Sequence, residues 1–203
     1  KSEHPFALRR LLPLQNIISD NKTKRQKNLE LIADDFELTY KPLKSRKVEF
    51  LENFIYFKTK KIEHIFNQLS AKKDPCRLFD ITFSEGEFIA KEVVRSTMLF
   101  IKTFKTLPAF TLDREGLLER LYVLAGYKDI DIKNHADFSK RFYLRGENEN
   151  AIRSLFNDEL VRFFESNAYY HIESSKSGVL IFSKERVASI KEIKALLDFG
   201  IRL

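Results

Sequence analysis

Asp129, Asp131, His135 and Asp137 come closest, by type and spacing, to a reactive constellation in this chain of 203 residues. They lie in the run Asp129-Ile130-Asp131-Ile132-Lys133-Asn134-His135-Ala136-Asp137. If 129–132 is extended, Asp129 and Asp131 project to one side, because strand side chains alternate. Carboxylates and an imidazole gathered in this way hold a divalent metal or share a proton. The competing reading is a solvent-facing edge strand, with Ile130 and Ile132 turned inward and Asn134 or Asp137 capping a helix. Carboxylates this local usually cap or solvate, so the second reading is preferred. Asp80, Glu85 and Glu87 form a weaker acidic group.

Other chemistries fall to spacing. The six glycines are never closer than ten residues, whereas a phosphate-cradling loop needs them clustered, so neither the dinucleotide fingerprint nor the Walker A loop is present. The histidines at 4, 64, 135 and 171 form no H-E-x-x-H helix. His171-Ile172-Glu173 has the H-x-E spacing of zinc deaminases but lacks the downstream P-C-x-x-C that completes their metal site. The single cysteine, Cys76, excludes an intrachain disulfide and a cysteine-based structural zinc site. No G-x-S-x-G elbow occurs. No cofactor is expected, and the chain is read as more consistent with a non-enzyme.

Charge is distributed unevenly. Residues 1–75 carry 16 Lys+Arg against 10 Asp+Glu, whereas residues 76–203 carry 20 against 19. Lys22, Lys24, Arg25, Lys27, Lys44, Arg46 and Lys47 are the candidate contacts for an anionic membrane surface or an acidic protein partner. Nucleic acid is a weaker candidate, since the remainder is near neutral and no recognition motif accompanies the charge. The longest run without charged residues is 11–19, interrupted by Pro13, and a spanning helix needs about 20 apolar residues. Residues 1–21 form an extension in which Leu8, Leu11, Leu12, Leu14, Ile17 and Ile18 could make an amphipathic, interfacial face.

These residues must be positioned by a domain expected over 22–203. A composition 43% hydrophobic, with 19 Phe, supplies ample core. The spacing of Leu29, Ile32, Ala33 and Phe36 predicts a helix over 22–38. Residues 43–75 are ambiguous: Ile62, Ile65, Phe66 and Leu69 favour a helix, but the flanking Lys-rich stretches give no caps. Residues 78–83 and 88–104 read as a hairpin around Gly86, the second run long enough to require a bulge or a bend. Residues 110–112 suggest a short strand. Asp113 is placed to cap a helix carrying Leu117, Leu118, Leu121, Tyr122 and Leu124, with Gly126 ending it. Short helices follow at 148–156 and 158–166, then a second hairpin from 169–173 and 179–183, then a last helix capped by Ser189. Adjacent strand pairs mixed with helices predict an α+β fold, a mostly antiparallel sheet built from two hairpins and packed with several helices. Phe79, Ile81 and Phe83 are expected in one core with Leu118, Leu121 and Tyr122.

The order Leu107-Pro108-Ala109-Phe110-Thr111-Leu112, Gly126-Tyr127-Lys128-Asp129-Ile130-Asp131, Asp137-Phe138-Ser139-Lys140-Arg141-Phe142-Tyr143-Leu144-Arg145-Gly146 and Ala151-Ile152-Arg153-Ser154-Leu155-Phe156 resembles a family of uncharacterised bacterial proteins. In these a membrane-spanning region often precedes a soluble domain with an FDY-like strand, whose place Leu78-Phe79-Asp80-Ile81 occupies. The resemblance covers about residues 22–203 and brings no catalytic residues. It implies a domain tethered to the inner membrane by a segment upstream of Lys1, and positive charge beside such an anchor is expected on the cytoplasmic side. The expected function is therefore a non-catalytic interaction or scaffolding domain. A metal-dependent hydrolase using Asp129, Asp131 and His135 is one alternative, and a basic nucleic-acid-binding module is another.

Overall fold

The structure, a computed structural model, describes residues 22–71, 76–86, 91–114, 126–176 and 178–203. In chain order the described elements are α1 (Lys24–Asp35), β1 (Thr39–Lys41), two 3-10 turns (Glu49–Leu51 and Ile55–Phe57), β2 (Lys60–Ser70), β3 (Cys76–Glu85), β4 (Glu92–Ile101), β5 (Phe110–Asp113), β6 (Lys128–Asp129), α2 (Ala136–Arg141), β7 (Tyr143–Gly146), α3 (Glu149–Leu155), α4 (Asp158–Ser166), β8 (His171–Ser175), β9 (Gly178–Phe182) and α5 (Ile190–Arg202). The fold is α+β and dominated by its sheet. The nine strands form one sheet in the order β1-β2-β3-β4-β9-β8-β5-β7-β6, and every pairing is antiparallel. The sheet is thus larger than two hairpins, although β3–β4 and β8–β9 are both adjacent antiparallel pairs.

The helices begin where side chains satisfy their free N–H groups. Thr23 and Gln26 make a reciprocal capping box on α1, as Ser189 and Glu192 do on α5. Asn148 and Asn157 cap α3 and α4. Leu29, Ile32 and Ala33 of α1, Ile152 of α3, Val161 and Phe164 of α4, and Ile193, Leu196 and Leu197 of α5 share one core with Leu69, Leu78, Leu99, Leu112 and Ile172 of the sheet. The opposite face holds a second, aromatic core. There Phe79, Ile81, Phe83, Met98, Phe100 and Phe182 pack against Leu51, Phe54, Tyr56 and Phe57 of the 3-10 segment. Phe79, Ile81 and Phe83 therefore do share a face; Leu118, Leu121 and Tyr122, with the rest of the helix expected after Asp113, lie outside the described residues, as do residues 1–21. Asp113 itself ends β5, and its Oδ1 accepts from the Arg114 backbone N–H at 2.6 Å.

Two expectations are corrected. Residues 60–70 are a strand, not a helix, and it is β2 that carries the irregularities, between Ile62 and His64 and between Phe66 and Leu69. The second one, with Asn67 at φ 50°, turns the strand over. Ile65 faces the aromatic core and Leu69 the helical one, although an even spacing would put both on one side. Strand β4 is regular instead: its register against β3 runs unbroken from Cys76↔Ile101 to Glu85↔Glu92. Among the described residues no helix is long and apolar enough to cross a membrane.

Candidate functional site

Three groups of polar residues decide what this fold can do. The first lies under the start of α1. Asp80 on β3 is 1% exposed, and both its oxygens are engaged. Arg25 approaches as a fork, Nε donating to Oδ2 at 2.9 Å and Nη2 to Oδ1 at 2.7 Å. Thr97 Oγ1 donates to Oδ1 at 2.6 Å and Asn67 Nδ2 to Oδ2 at 2.8 Å. Arg25 Nη1 also donates to the Ala188 carbonyl at 2.7 Å, while the Ala188 N–H donates to Thr97 Oγ1 at 2.9 Å. The Tyr40 hydroxyl closes the network on Asn67 Oδ1 at 2.9 Å, and burial followed by Glu30 and Asp80 pushes that phenol up to about 12. A carboxylate saturated in this way ties α1, β2, β3, β4 and the lead into α5 together, and offers no lone pair to a substrate.

The second group crosses the far part of the sheet, on the face away from the helices. Glu173, Thr111 and Arg145 are in register on β8, β5 and β7. His171 and Asp113 lie two residues further along, with Nδ1 3.7 Å from Oδ2. All five are buried. The Arg145 guanidinium stands 4.9 Å from the Tyr143 ring. The His171 ring packs 4.5 Å from Phe182 and 5.9 Å from Tyr56, centroid to centroid. Glu173 accepts from the Ile55 N–H and, at 3.0 Å, from the Tyr56 N–H. It thereby caps the Ile55–Phe57 turn, whose own N-cap, Phe54, has no side-chain bond to give. Burial pushes the Glu173 carboxyl up to about 8, against the two backbone donors and Lys58, which pull it down. A cleft of about 640 Å³ lined by Asn53, Ile55, Lys58, Thr59, Tyr127 and Ser175 opens beside this group.

The Asp129–Asp137 run does not assemble. Among the described residues no three His, Cys, Asp or Glu side chains group as a metal site. Strand β6 ends at Asp129; Ile130 and Ile132 are buried, and Asp129, Asp131 and Asp137 are exposed. His135 Nε2 lies 2.9 Å from Asp158 Oδ1, and this contact holds the Asp158 carboxyl below its ordinary value. Asp137 is 3.7 Å from Lys140, and the Asp131 carbonyl accepts from Arg153. Neither Asn134 nor Asp137 caps α2; its N-cap is His135, without a side-chain bond.

The third group is basic. Of the candidate anion contacts, Arg25 is spent on Asp80, and Lys22 pairs with Glu30. Lys24, Lys27, Lys44, Arg46 and Lys47 are exposed and form no ion pair among the described residues. Sequence reasoning missed His64, which the structure brings beside Lys44 and Arg46. The signal was the run 60–70 itself, whose bulges imitate a helical spacing.

Neither a protein-family model nor a curated protein sequence matches the chain. A solved structure does: the crystal structure of the mycobacterial trehalose monomycolate transport factor A, TtfA, superposes with a TM-score of 0.59 over 89% of this chain and 93% of that one, at 11% identity. The two share a fold. At this identity the likeness carries no residue roles.

Proposed function

We propose that this domain is a non-catalytic interaction module of a bacterial, membrane-linked assembly, working on the cytoplasmic side of the inner membrane. The observation that carries the reading is a contrast within the described residues. The buried carboxylates Asp80 and Glu173 are spent on holding α1 and a 3-10 turn against the sheet, while Lys24, Lys27, Lys44, Arg46 and Lys47 are presented to solvent. Saturated buried groups stabilise one structure, and unpaired surface cations attract an anionic partner. The fold shared with a protein named as a transport factor favours a role in such an assembly over a hydrolytic one.

Complementation of a strain lacking the gene tests this. Asp113→Asn, His171→Gln, Asp131→Asn and His135→Gln, each verified as folded, are expected to restore the wild-type phenotype. Charge reversal at Lys44, Arg46 and Lys47 together is expected to abolish it. Loss of function in a folded Asp113→Asn or Asp131→Asn chain would point to chemistry instead.

A further inference from the structure

Lys44, Arg46 and Lys61 belong to a larger surface that the sequence does not display. Ser45 and Ile65 exchange both backbone hydrogen bonds, Ser45 N to Ile65 O at 2.7 Å and Ile65 N to Ser45 O at 2.9 Å. In an antiparallel bridge of this kind the flanking residues meet, so Arg46 comes opposite His64 and Lys44 opposite Phe66. Ile65 is buried in the aromatic core, which turns His64, Lys44 and Arg46 to the other face of the sheet. Across β2, β3 and β4, His64 pairs with Thr82 and Thr82 with Arg95, so Arg95 joins the same row. The row beside it runs from Lys61 through Ser84 to Val93, whose side chain is 56% exposed. Glu63, next to His64 in the chain, is paired with Lys91 at 3.5 Å. Lys44, Arg46, Lys61 and Arg95 are exposed, and His64 is half-buried among them.

This patch sits at a particular end of the molecule. Arg25 anchors α1 over the Asp80–Thr97 row, and the helix then runs over Leu78 and Leu99 toward Leu69 and β1. The start of α1, with Lys22 and its N-cap Thr23, therefore lies on the side of Thr82, His64 and Arg95. Lys24 and Lys27 lie on the same first turns.

We infer that Lys44, Arg46, Lys61, His64 and Arg95 form a docking face for the phosphate headgroups of an anionic bilayer, and that this end of the sheet is turned toward the membrane. The inference rests on the interaction-module reading and names its partner. Charge complementarity argues for a lipid surface: the cations are spread over two strands and a loop instead of converging on a pocket, which suits many headgroups at once. Val93 offers a small apolar contact between them.

The test is co-sedimentation of the full chain with phosphatidylcholine vesicles, with and without phosphatidylglycerol, at low and high salt. Binding is expected only to the anionic vesicles and only at low salt. Each exposed cation neutralised in Lys44→Gln, Arg46→Gln and Arg95→Gln is expected to weaken it about fivefold. A control with Lys128→Gln, Lys133→Gln and Lys140→Gln carries the same change of net charge and should bind as wild type. Equal losses in the two triple variants would reduce the effect to net charge and overturn the face. So would wild-type indifference to anionic vesicles, or inhibition by inorganic phosphate as strong as by the vesicles, or retention on duplex DNA in their place. These outcomes leave the complementation result of the interaction module untouched, so the two readings fail separately.

Discussion

Arg25 and Asp80, 55 residues apart, meet through two parallel hydrogen bonds of 2.9 and 2.7 Å, and the carboxylate is almost wholly buried while the guanidinium is 25% exposed. The pair fixes the first helix to β3, between β2 and β4.

Removing one partner of such a pair leaves a buried charge without compensation. Arg25→Ala is therefore expected to cost about 3 kcal/mol, and to lower the melting temperature by roughly 10 °C for a chain of this size. Arg25→Lys should recover only part of it, since an ammonium cannot make the fork. Thermal unfolding by circular dichroism reads both; an Arg25→Ala melt superimposable on wild type would remove the clamp from the account.

Glu173 gives a pH dependence whose sign is fixed. Its carboxyl titrates near 8 in the folded chain against about 4.3 in an unfolded one, so the folded state holds the proton more tightly. Stability from this group is complete below the unfolded value and is lost as pH rises through 8. Urea unfolding between pH 5 and 9 should show that decline, and Glu173→Gln, which removes the titrating group and leaves one acceptor oxygen where the Ile55 and Tyr56 N–H groups use two, should flatten it. A decline that persists in Glu173→Gln would assign it elsewhere.

Phe79 is wholly buried and meets Phe50 edge-on, with ring centroids 5.8 Å apart. Phe79→Ala is expected to destabilise by about 3–5 kcal/mol, measured by the same urea titration. A cost under about 1 kcal/mol would mean that the aromatic core does not pack as described.

What the sequence displayed was whatever a few neighbouring residues decide. Thr23, Asn148, Asn157 and Ser189 mark their helices because a cap and its N–H lie within three residues. Strand β2 was hidden because two bulges place Ile62, Ile65, Phe66 and Leu69 at helical intervals while the strand changes face. Arg25 read as a surface cation because nothing local announces Asp80 as its partner. The Glu173–Thr111–Arg145 row could not be seen at all, since it exists only through the register of three strands. The acidic run 129–137 is the opposite case: its residues are close in sequence, and the fold sends their side chains to Asp158, Lys140 and solvent.

His64 adds a pH response to the basic face. Burial, then Lys44, Arg95 and Arg46, hold its imidazole below the ordinary value, against the opposing pull of Glu63. It therefore gains its charge at lower pH than an ordinary imidazole does. Anionic-vesicle binding should tighten as pH falls and the imidazole becomes charged, and His64→Gln should lose the response while keeping the binding at pH 7. A pH response unchanged in His64→Gln would give it to another group.

The central claim is that this domain acts by contact, through the end of the sheet that carries Arg46 and Arg95. Site-specific photo-crosslinking in intact cells measures it most directly, with the photoreactive residue at Arg46, at Arg95 and, as a control on the α2 surface, at Lys140. Adducts with lipid or membrane protein from the first two positions, and none from the third, are the predicted result. Adducts from Lys140 alone, or none from any position in a chain that still complements the deletion, would contradict it.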